Sequence, residues 1–479
     1  MEKSNFDVVI IGAGITGSGI AYELSKLQLS IAILDKAPFP FQGASKANSG
    51  IIHAGYDDPD GSMRAKMVVR GNQFYSRWAD ELGFDFKRIG SIVVAFTDEE
   101  VETLKEEMER GQRRGIEGLE IVEGKALFDL EPNLNKSAIA GLYAPSAGVV
   151  CPMEVVNFLF RASVANGVTP FLSCEVKGFR KEAEKITHVE TTCGEISGRI
   201  IINAAGVFGD KISSLAGIDR YRIIPRKGEY ILLEPHPDYD VNHVIFPVPT
   251  RVSKGVLVIK TVTGDVLIGP TARNLEDSER ENTLTTPDGL QEVLEKAKKL
   301  VPSLSTALTV KTFAGIRAQP STNDFIIEDY DEPSNFINVI GIRSPGLTSA
   351  PAIAEYVVEM VRGKLDGVEP KKDFFVPQLK KPDPVEMMKK RADGWGVFLT
   401  PHLDSPPLAM LEMAWNWGIK GELYNYTCFT DNGLGVDLSA TFQNELTRWL
   451  LKKGLTVEEI NYRFPGSWQF VKGKCGGKK

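Results

Sequence analysis

Cysteines are few in this sequence, and none of them form a closely spaced pair. The chain has five, at Cys151, Cys174, Cys193, Cys428 and Cys475, and no C-x-x-C motif. Disulfide frameworks, zinc sites and iron–sulfur clusters need cysteines at short, regular spacings, so none of the three is expected. The cysteine usage instead fits a reducing compartment, and we predict a cytoplasmic protein without a metal site.

Long apolar runs and an excess of basic residues are also missing. No run approaches the ~20 apolar residues of a membrane span, and the first apolar run is too short for a signal peptide. The 56 Lys and Arg against 63 Asp and Glu give a net charge of −7, whereas nucleic-acid binding needs a basic face. We therefore predict a globular protein of two or three domains with no transmembrane segment and no nucleic-acid partner.

The most informative stretch covers residues 7–36. It begins with a short Val- and Ile-rich run, Asp7–Ile11, which predicts a strand buried on both faces. Three glycines follow at the spacing G-x-G-x-x-G. Gly12 permits a tight turn, Gly14 lets a pyrophosphate approach the backbone, and Gly17 lets a helix pack against the strand. The pattern predicts a strand, a turn and a helix that bind a dinucleotide.

Two further features of this stretch support dinucleotide binding. The first helical turn, with Ile15 and Thr16, directs unpaired N–H groups and the positive end of the helix dipole toward the phosphates. A second apolar strand ends at Asp35, followed by Lys36, and an acidic side chain there accepts hydrogen bonds from ribose hydroxyls. A glycine-rich turn of another α/β domain is the alternative, but it does not explain why Asp35 stands at this offset.

Small and polar residues also follow later predicted strands. Segment 45–55 is rich in them, and the buried run 198–203 continues directly into Ala204-Ala205-Gly206. Another late strand, 336–341, is followed by Ser344–Ser349, which opens a second helix. A second helix N-terminus indicates a ligand too long for one mononucleotide site, so these segments favour FAD over NAD.

Residues 222–270 have a different pattern, with short β-rich apolar runs separated by turn residues. This pattern predicts an antiparallel sheet, and an amphipathic helix near 287–301 completes an α+β substrate domain inserted into the nucleotide-binding one. The Lys- and Pro-rich segment 370–384 predicts a linker. Beyond it, residues 385–479 hold five of the six tryptophans, which fits either the core of a small helical domain or a surface that docks a partner.

Taken together, these motifs resemble those of FAD-dependent oxidoreductases of the D-amino acid oxidase type. The resemblance covers residues 5–365 and rests on the opening glycine motif and four later segments, Asn48–Gly55, Asn203–Gly206, Gly315–Arg317 and Gly346–Thr348. Within this group, the chain looks most like the large subunits of anaerobic glycerol-3-phosphate dehydrogenases and the L-2-hydroxyglutarate oxidases.

The resemblance implies an α/β fold with a Rossmann-like FAD-binding domain of the glutathione-reductase type, an inserted antiparallel α+β substrate domain and a small C-terminal domain. We place the FAD-binding domain in residues 1–85, 145–218 and 311–368, the substrate domain in 86–144 and 219–310, and the C-terminal domain in 385–479. The predicted cofactor-binding residues are Gly12, Gly14, Ile15, Thr16, Gly17, Asp35, Lys36, Ser45, Asn48, Ser49, Gly50, Ile51, Val176, Ala205, Gly206, Gly315, Arg317, Gly346, Leu347 and Thr348.

The resemblance also bears on where the electrons go. Related anaerobic dehydrogenases often carry a C-terminal cysteine cluster for a two-iron iron–sulfur centre, whereas this C-terminal region has only Cys428 and Cys475. We therefore expect an electron-accepting partner subunit, docked through the C-terminal domain, and a peripheral membrane association through that partner.

Oxidation of a secondary alcohol requires a hydride acceptor, a base and cations that hold the substrate anion. The resemblance places Arg317 over the flavin, where its guanidinium fork suits a carboxylate or phosphate; a structural salt bridge is the alternative. His53 is the candidate base, or else a flavin-packing residue. Tyr230 is predicted to hydrogen-bond the substrate unless it packs in the core, and Lys260 is a further candidate cation unless it is solvated.

The predicted reaction is the oxidation of sn-glycerol 3-phosphate to dihydroxyacetone phosphate by hydride transfer to flavin N5. The segment Gly228-Glu229-Tyr230 looks more like that of the hydroxyglutarate oxidases, so L-2-hydroxyglutarate or a related 2-hydroxy acid is the alternative substrate. A flavin subunit that only relays electrons within a complex is an alternative of a different class. The adjacent pair Arg226-Lys227 is interpreted as a surface feature at a strand end.

Overall fold

The computed structural model describes residues 5–249 and 255–378 of the chain. The predicted C-terminal domain, with Cys428, Cys475 and its five tryptophans, lies outside these residues. The helices of the described part are α1 (Ile15–Ser25), α2 (Met63–Leu82), α3 (Asp98–Arg113), α4 (Gly124–Leu130), α5 (Pro152–Ala165), α6 (Gly209–Leu215), α7 (Pro287–Leu300) and α8 (Gly346–Lys364), with 3₁₀ turns at Gly206–Phe208, Asp277–Glu279 and Thr306–Leu308. No helix of this part combines the length and apolar character needed to cross a membrane.

The strands of the described residues fall into three sheets. In chain order they are β1 (Asn5–Ile11), β2 (Ile31–Leu34), β3 (Ile51–Ile52), β4 (Phe86–Lys87), β5 (Ser91–Ala95), β6 (Glu120–Glu123), β7 (Ala140–Ala144), β8 (Gly148–Val150), β9 (Thr169–Phe171), β10 (Val176–Glu182), β11 (Lys185–Thr191), β12 (Gly194–Asn203), β13 (Ile223–Leu233), β14 (Val244–Pro247), β15 (Leu257–Lys260), β16 (Val266–Gly269), β17 (Arg273–Asn274), β18 (Thr309–Pro320), β19 (Ile326–Asp329) and β20 (Phe336–Ile340). The smallest sheet has the order β3-β8-β4.

The first large sheet is the predicted Rossmann-like one. Its order is β10-β11-β12-β1-β2-β9, with β20 paired to β12 and β19 to β20, and the central pairs β12–β1, β1–β2 and β12–β20 are parallel. Parallel strands need cover on both faces; α1, α5 and α8 contribute to the apolar cluster on one face, and α6 to the cluster on the other. The carboxyl ends of β1, β2 and β12 therefore meet at one edge, which is where such sheets bind ligands.

The second large sheet contains the strands of residues 222–270, which pair with one another as the antiparallel sheet predicted for them. It has the order β17-β13-β16-β15-β14-β5-β7-β6, with β18 paired along the whole of β13. Every pairing described in this sheet is antiparallel except β14–β5, which is parallel. Helix α7 covers one face because Val293, Ala297 and Leu300 recur at helical spacing and are fully buried against the sheet. Helix α7 does not cover the opposite face of β13 and β18, so that face can line a site.

Two segments pair differently from the sequence-based expectation. The sequence Pro170–Val176 predicts a single strand, but the chain turns at Ser173, which has a φ of +54°, so that β9 pairs with β2 and β10 with β11. Residues from 311 onward were assigned to the FAD-binding domain, yet β18 belongs to the second sheet through its pairing with β13. Both differences arise from non-local pairing, which local sequence pattern does not report.

The described part of the predicted linker, up to residue 378, packs against the first sheet's helices. The Lys371 N–H donates to the Lys26 carbonyl at 2.8 Å, and the Phe374 ring lies 6.1 Å from that of Tyr22. Asn166 donates to the carbonyl of Phe375 at 2.8 Å. This stretch is therefore anchored to the helical layer of the first sheet by hydrogen bonds and aromatic contact, which differs from a free linker.

Candidate active site

The opening glycine turn has the geometry that its sequence predicts. Gly12 has a φ of +108°, and a Cβ there would lie 2.4 Å from the carbonyl oxygen of Ala204 at the end of β12. A Cβ at Gly17 would lie only 1.8 Å from the Gly12 carbonyl oxygen. Real Cβ atoms do not approach oxygen this closely, so both positions require glycine and hold α1 directly against β1.

The N-terminus of α1 is prepared for an anion. Its first-turn N–H groups have no partner within the helix, and the Ser45 hydroxyl oxygen accepts one of them, that of Ile15, at 2.9 Å. A Cβ at Gly14 would lie 3.0 Å from the same Ser45 oxygen, so a larger residue would push Ser45 away. Thr16 is buried in this first turn. The remaining N–H groups and the helix dipole are suited to a diphosphate.

Asp35 stands at the end of β2, and its carboxylate already accepts two backbone N–H groups. The donors are Ala13 and Ala37, at 2.8 and 2.9 Å, one to each oxygen. Burial raises the pKa of Asp35, which the two backbone hydrogen bonds oppose. Each carboxylate oxygen keeps a second lone pair that can accept from a ribose hydroxyl.

The other residues predicted around the adenosine end lie nearby, with one difference. Val176 and Ala205 pack with Leu34 in the apolar cluster beside the strand ends. Gly206 has a φ of +56° and faces open space. Lys36, by contrast, pairs with Glu281 at 2.5 Å, and its Nζ lies 3.8 Å from the centre of the Phe208 ring. The structure thus gives Lys36 a protein partner.

The segment after Ser45 is held by its own hydrogen bonds. The Asn48 side chain accepts from the N–H of Gly50 at 2.9 Å and donates to the carbonyls of Ala44 and Ser45. Gly50 has a φ of +66°, and a Cβ there would lie 2.5 Å from the Val150 carbonyl oxygen. These contacts hold the loop in one conformation between the two large sheets.

Thr348, in the first turn of α8, joins the two halves of the predicted flavin site. Its hydroxyl oxygen accepts from the His53 N–H at 2.9 Å, and the hydroxyl donates to the Ile51 carbonyl at 3.3 Å. Thr348 is fully buried, as is Gly346 at the start of the helix, while Leu347 between them is half-buried. The hydroxyl therefore fixes the N-terminus of α8 against the segment that carries His53.

We expect Thr348→Val to lower the free energy of unfolding by about 1–3 kcal/mol, because the isosteric change leaves the buried His53 N–H without its acceptor. Chemical denaturation of the flavin-loaded protein measures the loss. Thr348→Ser keeps the hydroxyl and is the matched control, so a loss of equal size in both variants would contradict the assigned role.

Arg317 and Tyr230 lie on the face of the β13–β18 pair that looks toward this loop. A Cβ at Gly315 would lie 2.0 Å from the Ala47 carbonyl oxygen, so the loop lies directly on the sheet. The hydroxyl of Tyr230 is 3.4 Å from that of Ser49, and burial raises the pKa of Tyr230 while Arg317 opposes the shift. The structure thus brings Arg317, Tyr230 and Ser49 together.

Three arginines converge here, and none forms an ion pair with a carboxylate in the described residues. Arg317 donates to the Thr271 carbonyl, Arg226 to the Asn274 amide at 2.7 Å, and Arg343 to the Asn323 amide at 2.9 Å. The buried Nε atoms of Arg317 and Arg343 make no hydrogen bond at all within this part. Burial lowers the pKa of all three. Arg64, Arg317 and Arg226 help to lower the pKa of Arg343 to about 10, and the nearby Asp58 carboxylate opposes that shift. Three cations with neutral partners form a site for an anion.

His53 lies beside this anion site. Its Nε2 is 3.5 Å from the Ser344 hydroxyl, and its ring centre is 5.8 Å from that of Phe246. A cleft adjoins the imidazole, and its lining includes Tyr56, Asp57, Ser91, Glu107 and Phe246. His53 therefore lies next to both Ser344 and this cleft.

Two predictions about charged side chains do not match their positions. Lys260 pairs with Asp240 at 2.7 Å, and the structure does not bring it to the three arginines. The pair Arg226-Lys227 is not a surface feature: Lys227 is buried with its Nζ on the Leu284 carbonyl, and Arg226 stands opposite Arg317 across the β13–β18 pair. Alternation along β13 puts the two on opposite faces, which the interpretation as a pair overlooked.

Arg343 is the site residue that the sequence reading missed. It stands three residues before Gly346, in the segment between β20 and α8 that was already predicted to approach the flavin. An arginine at that place, before a helix N-terminus facing an anionic ligand, is the signal that could have identified it. Its proximity to Arg317 depends on a contact between two sheets, and no local sequence pattern predicts that contact.

The donors fit a flavin dinucleotide. The α1 N-terminus with Ser45 suits the diphosphate, Asp35 the ribose, and the N-terminus of α8 the flavin pyrimidine, where negative charge accumulates on reduction. No group of three or more His, Cys, Asp or Glu in the described residues is arranged to hold a metal ion.

Comparison with known proteins identifies the family of the chain. Residues 7–360 match the family described as DAO, FAD dependent oxidoreductase. A glycerol 3-phosphate dehydrogenase of Caloramator mitchellensis is 40% identical over 372 residues, covering 77% of this chain and 76% of that protein. A glycerol 3-phosphate oxidase of Mycoplasma genitalium is 34% identical, covering 75% and 95%. An L-2-hydroxyglutarate dehydrogenase of Escherichia coli K12 is 27% identical, covering 74% and 93%.

Solved structures show the same fold. The dithionite-reduced L-α-glycerophosphate oxidase of Mycoplasma pneumoniae, with FAD bound, is 30% identical and superposes with a TM-score of 0.74 over 78% of this chain and 98% of that one. Glycine oxidase from Geobacillus kaustophilus, at 22% identity and a TM-score of 0.69, shares the fold, covering 78% and 99%. The chain belongs to the DAO family of FAD-dependent oxidoreductases, with FAD as its cofactor.

Proposed function

We propose that the protein oxidises sn-glycerol 3-phosphate to dihydroxyacetone phosphate. The observation that carries the proposal is the convergence of Arg226, Arg317 and Arg343, whose hydrogen bonds go to neutral amide and carbonyl acceptors. A phosphate dianion supplies the negative charge that these half-buried cations lack among their hydrogen-bond partners in the described residues. The relatives at 40% and 34% identity, named for glycerol 3-phosphate, support this choice of anion.

Each polar group of the site has a task in this reaction. Arg317 and Arg343, each with a buried Nε that has no hydrogen-bond partner among the described residues, hold the phosphate, and Tyr230 with Ser49 orients the glycerol backbone. FAD, when bound, supplies the acceptor for the hydride from the C2 carbon. His53 takes the proton of the C2 hydroxyl, because its Nε2 faces the site beside Ser344.

Anaerobic mixing of the purified yellow protein with candidate substrates tests the proposal. We expect rapid bleaching of the flavin absorbance by sn-glycerol 3-phosphate and none by the sn-1 enantiomer. Bleaching by L-2-hydroxyglutarate instead would assign the second substrate, which relatives such as the E. coli dehydrogenase favour. Bleaching by neither, with full FAD content, would indicate an electron-relay subunit and overturn the proposal.

The electrons then pass to an external acceptor in our proposal, a partner protein docked through residues 385–479. Two cysteines follow Cys193 in the sequence, fewer than the four ligands of an ordinary iron–sulfur cluster. Stopped-flow reoxidation of the reduced protein tests this step. Fast reoxidation by a quinone or dye with slow reoxidation by oxygen supports it, and fast reaction with oxygen would identify an oxidase.

We expect Gly228→Ala to lower kcat/KM for glycerol 3-phosphate about tenfold to a hundredfold with normal FAD content. A Cβ at Gly228 would lie 3.0 Å from an Arg317 terminal nitrogen and 2.8 Å from Pro270, so the guanidinium must shift, and small displacements of such groups are costly. Gly363→Ala, where a Cβ meets no atom, is the control. A normal rate in the Gly228 variant would show that Arg317 does not depend on this glycine.

A further inference from the structure

Cys174 and Cys193 stand opposite each other at the end of the β10–β11 pair. Val176 pairs with Thr191, and continuing this antiparallel register by two residues places Cys174 across from Cys193. The Thr192 N–H donates to the Glu175 carbonyl at 2.9 Å, and the Glu175 N–H donates to the Thr192 hydroxyl oxygen at 2.9 Å. The two segments therefore stay hydrogen-bonded beyond the last strand pair, and each cysteine is the next residue outward from this bonded pair.

The contacts of the two thiols confirm that they are close. The Cys193 thiol donates to the carbonyl of Ser173, the residue before Cys174, at 3.8 Å. The Cys174 thiol donates to the Thr191 hydroxyl oxygen at 3.2 Å, and the same oxygen accepts from the Cys193 N–H at 3.0 Å. Both are free thiols; Cys174 is buried and Cys193 exposed. The exposed sulfur is therefore the one that an oxidant reaches first.

The pair adjoins the adenosine end of the FAD site. The Cys174 N–H donates to the Asp35 carbonyl at 2.8 Å, and the Ser173 N–H to the Ala37 carbonyl at 2.9 Å. The Asp35 carboxylate is the predicted ribose acceptor, and Cys174 packs with Val176 in the cluster beside it. A covalent link at Cys174 would therefore restrict the segment that closes this end of the site.

We propose that Cys174 and Cys193 form a reversible disulfide on exposure to a peroxide, and that the bond slows the release of FAD. The Cys193 sulfur attacks a peroxide oxygen, the O–O bond breaks, and Cys193 sulfenic acid and one water form. The Cys174 sulfur then bonds to that sulfur, the S–O bond breaks, and the second water leaves with the thiol proton. Two thiols and one hydrogen peroxide thus give one disulfide and two waters.

The burial of Cys174 agrees with this order of events. Burial and a hydrogen bond with the Cys193 thiol raise the pKa of Cys174 to about 11. Since the thiolate is the reactive form, Cys174 is inert until a sulfenic acid forms beside it. The proposal rests on the family's FAD and not on the substrate proposed above.

Peptide mass spectrometry tests the bond on the full-length, FAD-loaded protein. After peroxide treatment and alkylation, trypsin leaves Cys174 on peptide 162–177 and Cys193 on peptide 186–199. We expect the two peptides as one species, lighter than their sum by two hydrogens and separated by dithiothreitol. Cys475→Ser should retain this species and Cys193→Ser should lose it. Overoxidised Cys193 with an alkylated Cys174 would overturn the proposal.

Fluorescence of free flavin after dilution tests the proposed effect of the disulfide on FAD release. We expect FAD release from the oxidised wild-type protein to be several-fold slower than from the reduced protein, with the rate restored by dithiothreitol. In Cys193→Ser, peroxide should leave the rate unchanged. Equal rates in oxidised and reduced wild type, with the cross-link verified, would overturn the effect on FAD.

Discussion

Replacement of Arg317 by methionine is expected to lower kcat/KM for sn-glycerol 3-phosphate about a thousandfold, with FAD content unchanged. The guanidinium is held by the Thr271 carbonyl, faces Arg226 across the sheet, and keeps a buried Nε without a partner. Removing one member of a buried charge pair costs about 2–5 kcal/mol, and a thousandfold corresponds to about 4 kcal/mol. Methionine fills a similar volume, so the loss reports charge and hydrogen bonding.

Two variants separate this role from a general effect of arginine loss. Arg317→Lys keeps the charge but not the fork, and we expect an intermediate defect. Arg273→Met removes an arginine from the adjacent strand β17, whose guanidinium pairs with Glu292 of α7, away from the site; it should retain full activity. Steady-state kinetics and the flavin absorbance of purified protein measure the outcome. Equal defects in the Arg317 and Arg273 variants, or loss of FAD from Arg317→Met, would contradict the assignment.

The nucleotide half of the site could be predicted because its chemistry is local. Gly12, Gly17 and Asp35 lie within one strand–turn–helix–strand unit. The φ of +108° at Gly12, the approach of Gly17 to the Gly12 carbonyl and the hydrogen bond from the Ala13 N–H to Asp35 all arise inside that unit. A short spacing of residue types therefore encodes the whole geometry. The structure agrees with the predicted turn and with the parallel pairing of β1 with β2.

The substrate half is built from contacts between distant segments, and there the sequence was less informative. Arg226 and Arg317 face each other only because β13 pairs with β18, some ninety residues later in the chain. Arg343 approaches them from the segment that follows β20 of the first sheet. Lys260 looked equivalent in sequence, following an apolar strand, but its partner is Asp240. Which cations share a site is decided by sheet register, and no local pattern carries that information.

The positions of the cysteines show the same limit of local sequence patterns. Cys174 and Cys193 are nineteen residues apart and match no cysteine motif, so the sequence indicated only scattered thiols. The antiparallel pairing of β10 with β11 brings Cys193, which follows β11, back to Cys174, which precedes β10. The spacing of the cysteines along the chain therefore excludes a C-x-x-C motif. It does not report whether two cysteines lie close together on neighbouring strands.

The second large effect is expected from Gly17→Ala, which should remove most of the bound FAD and destabilise the fold. The added Cβ would lie 1.8 Å from the Gly12 carbonyl oxygen, 3.0 Å from its carbon and 3.3 Å from the Ile10 side chain. Relief requires α1 to move away from β1 by more than 1 Å, and overpacking of this kind costs about 1–3 kcal/mol or more. The same movement separates the Ile15 N–H from the Ser45 hydroxyl and displaces the anion-binding end of the helix.

Gly363→Ala is the matched control for this prediction. Both glycines lie within helices, α1 and α8, so alanine raises the intrinsic helix propensity in both variants by about 1 kcal/mol. At Gly363, however, a Cβ would meet no neighbouring atom. We expect Gly363→Ala to keep its FAD and its midpoint of thermal unfolding, and Gly17→Ala to be purified nearly colourless with a lowered midpoint. A yellow Gly17→Ala protein as stable as the control would mean that α1 does not rest on the Gly12 carbonyl, and the closely packed glycine turn could not be what positions the diphosphate.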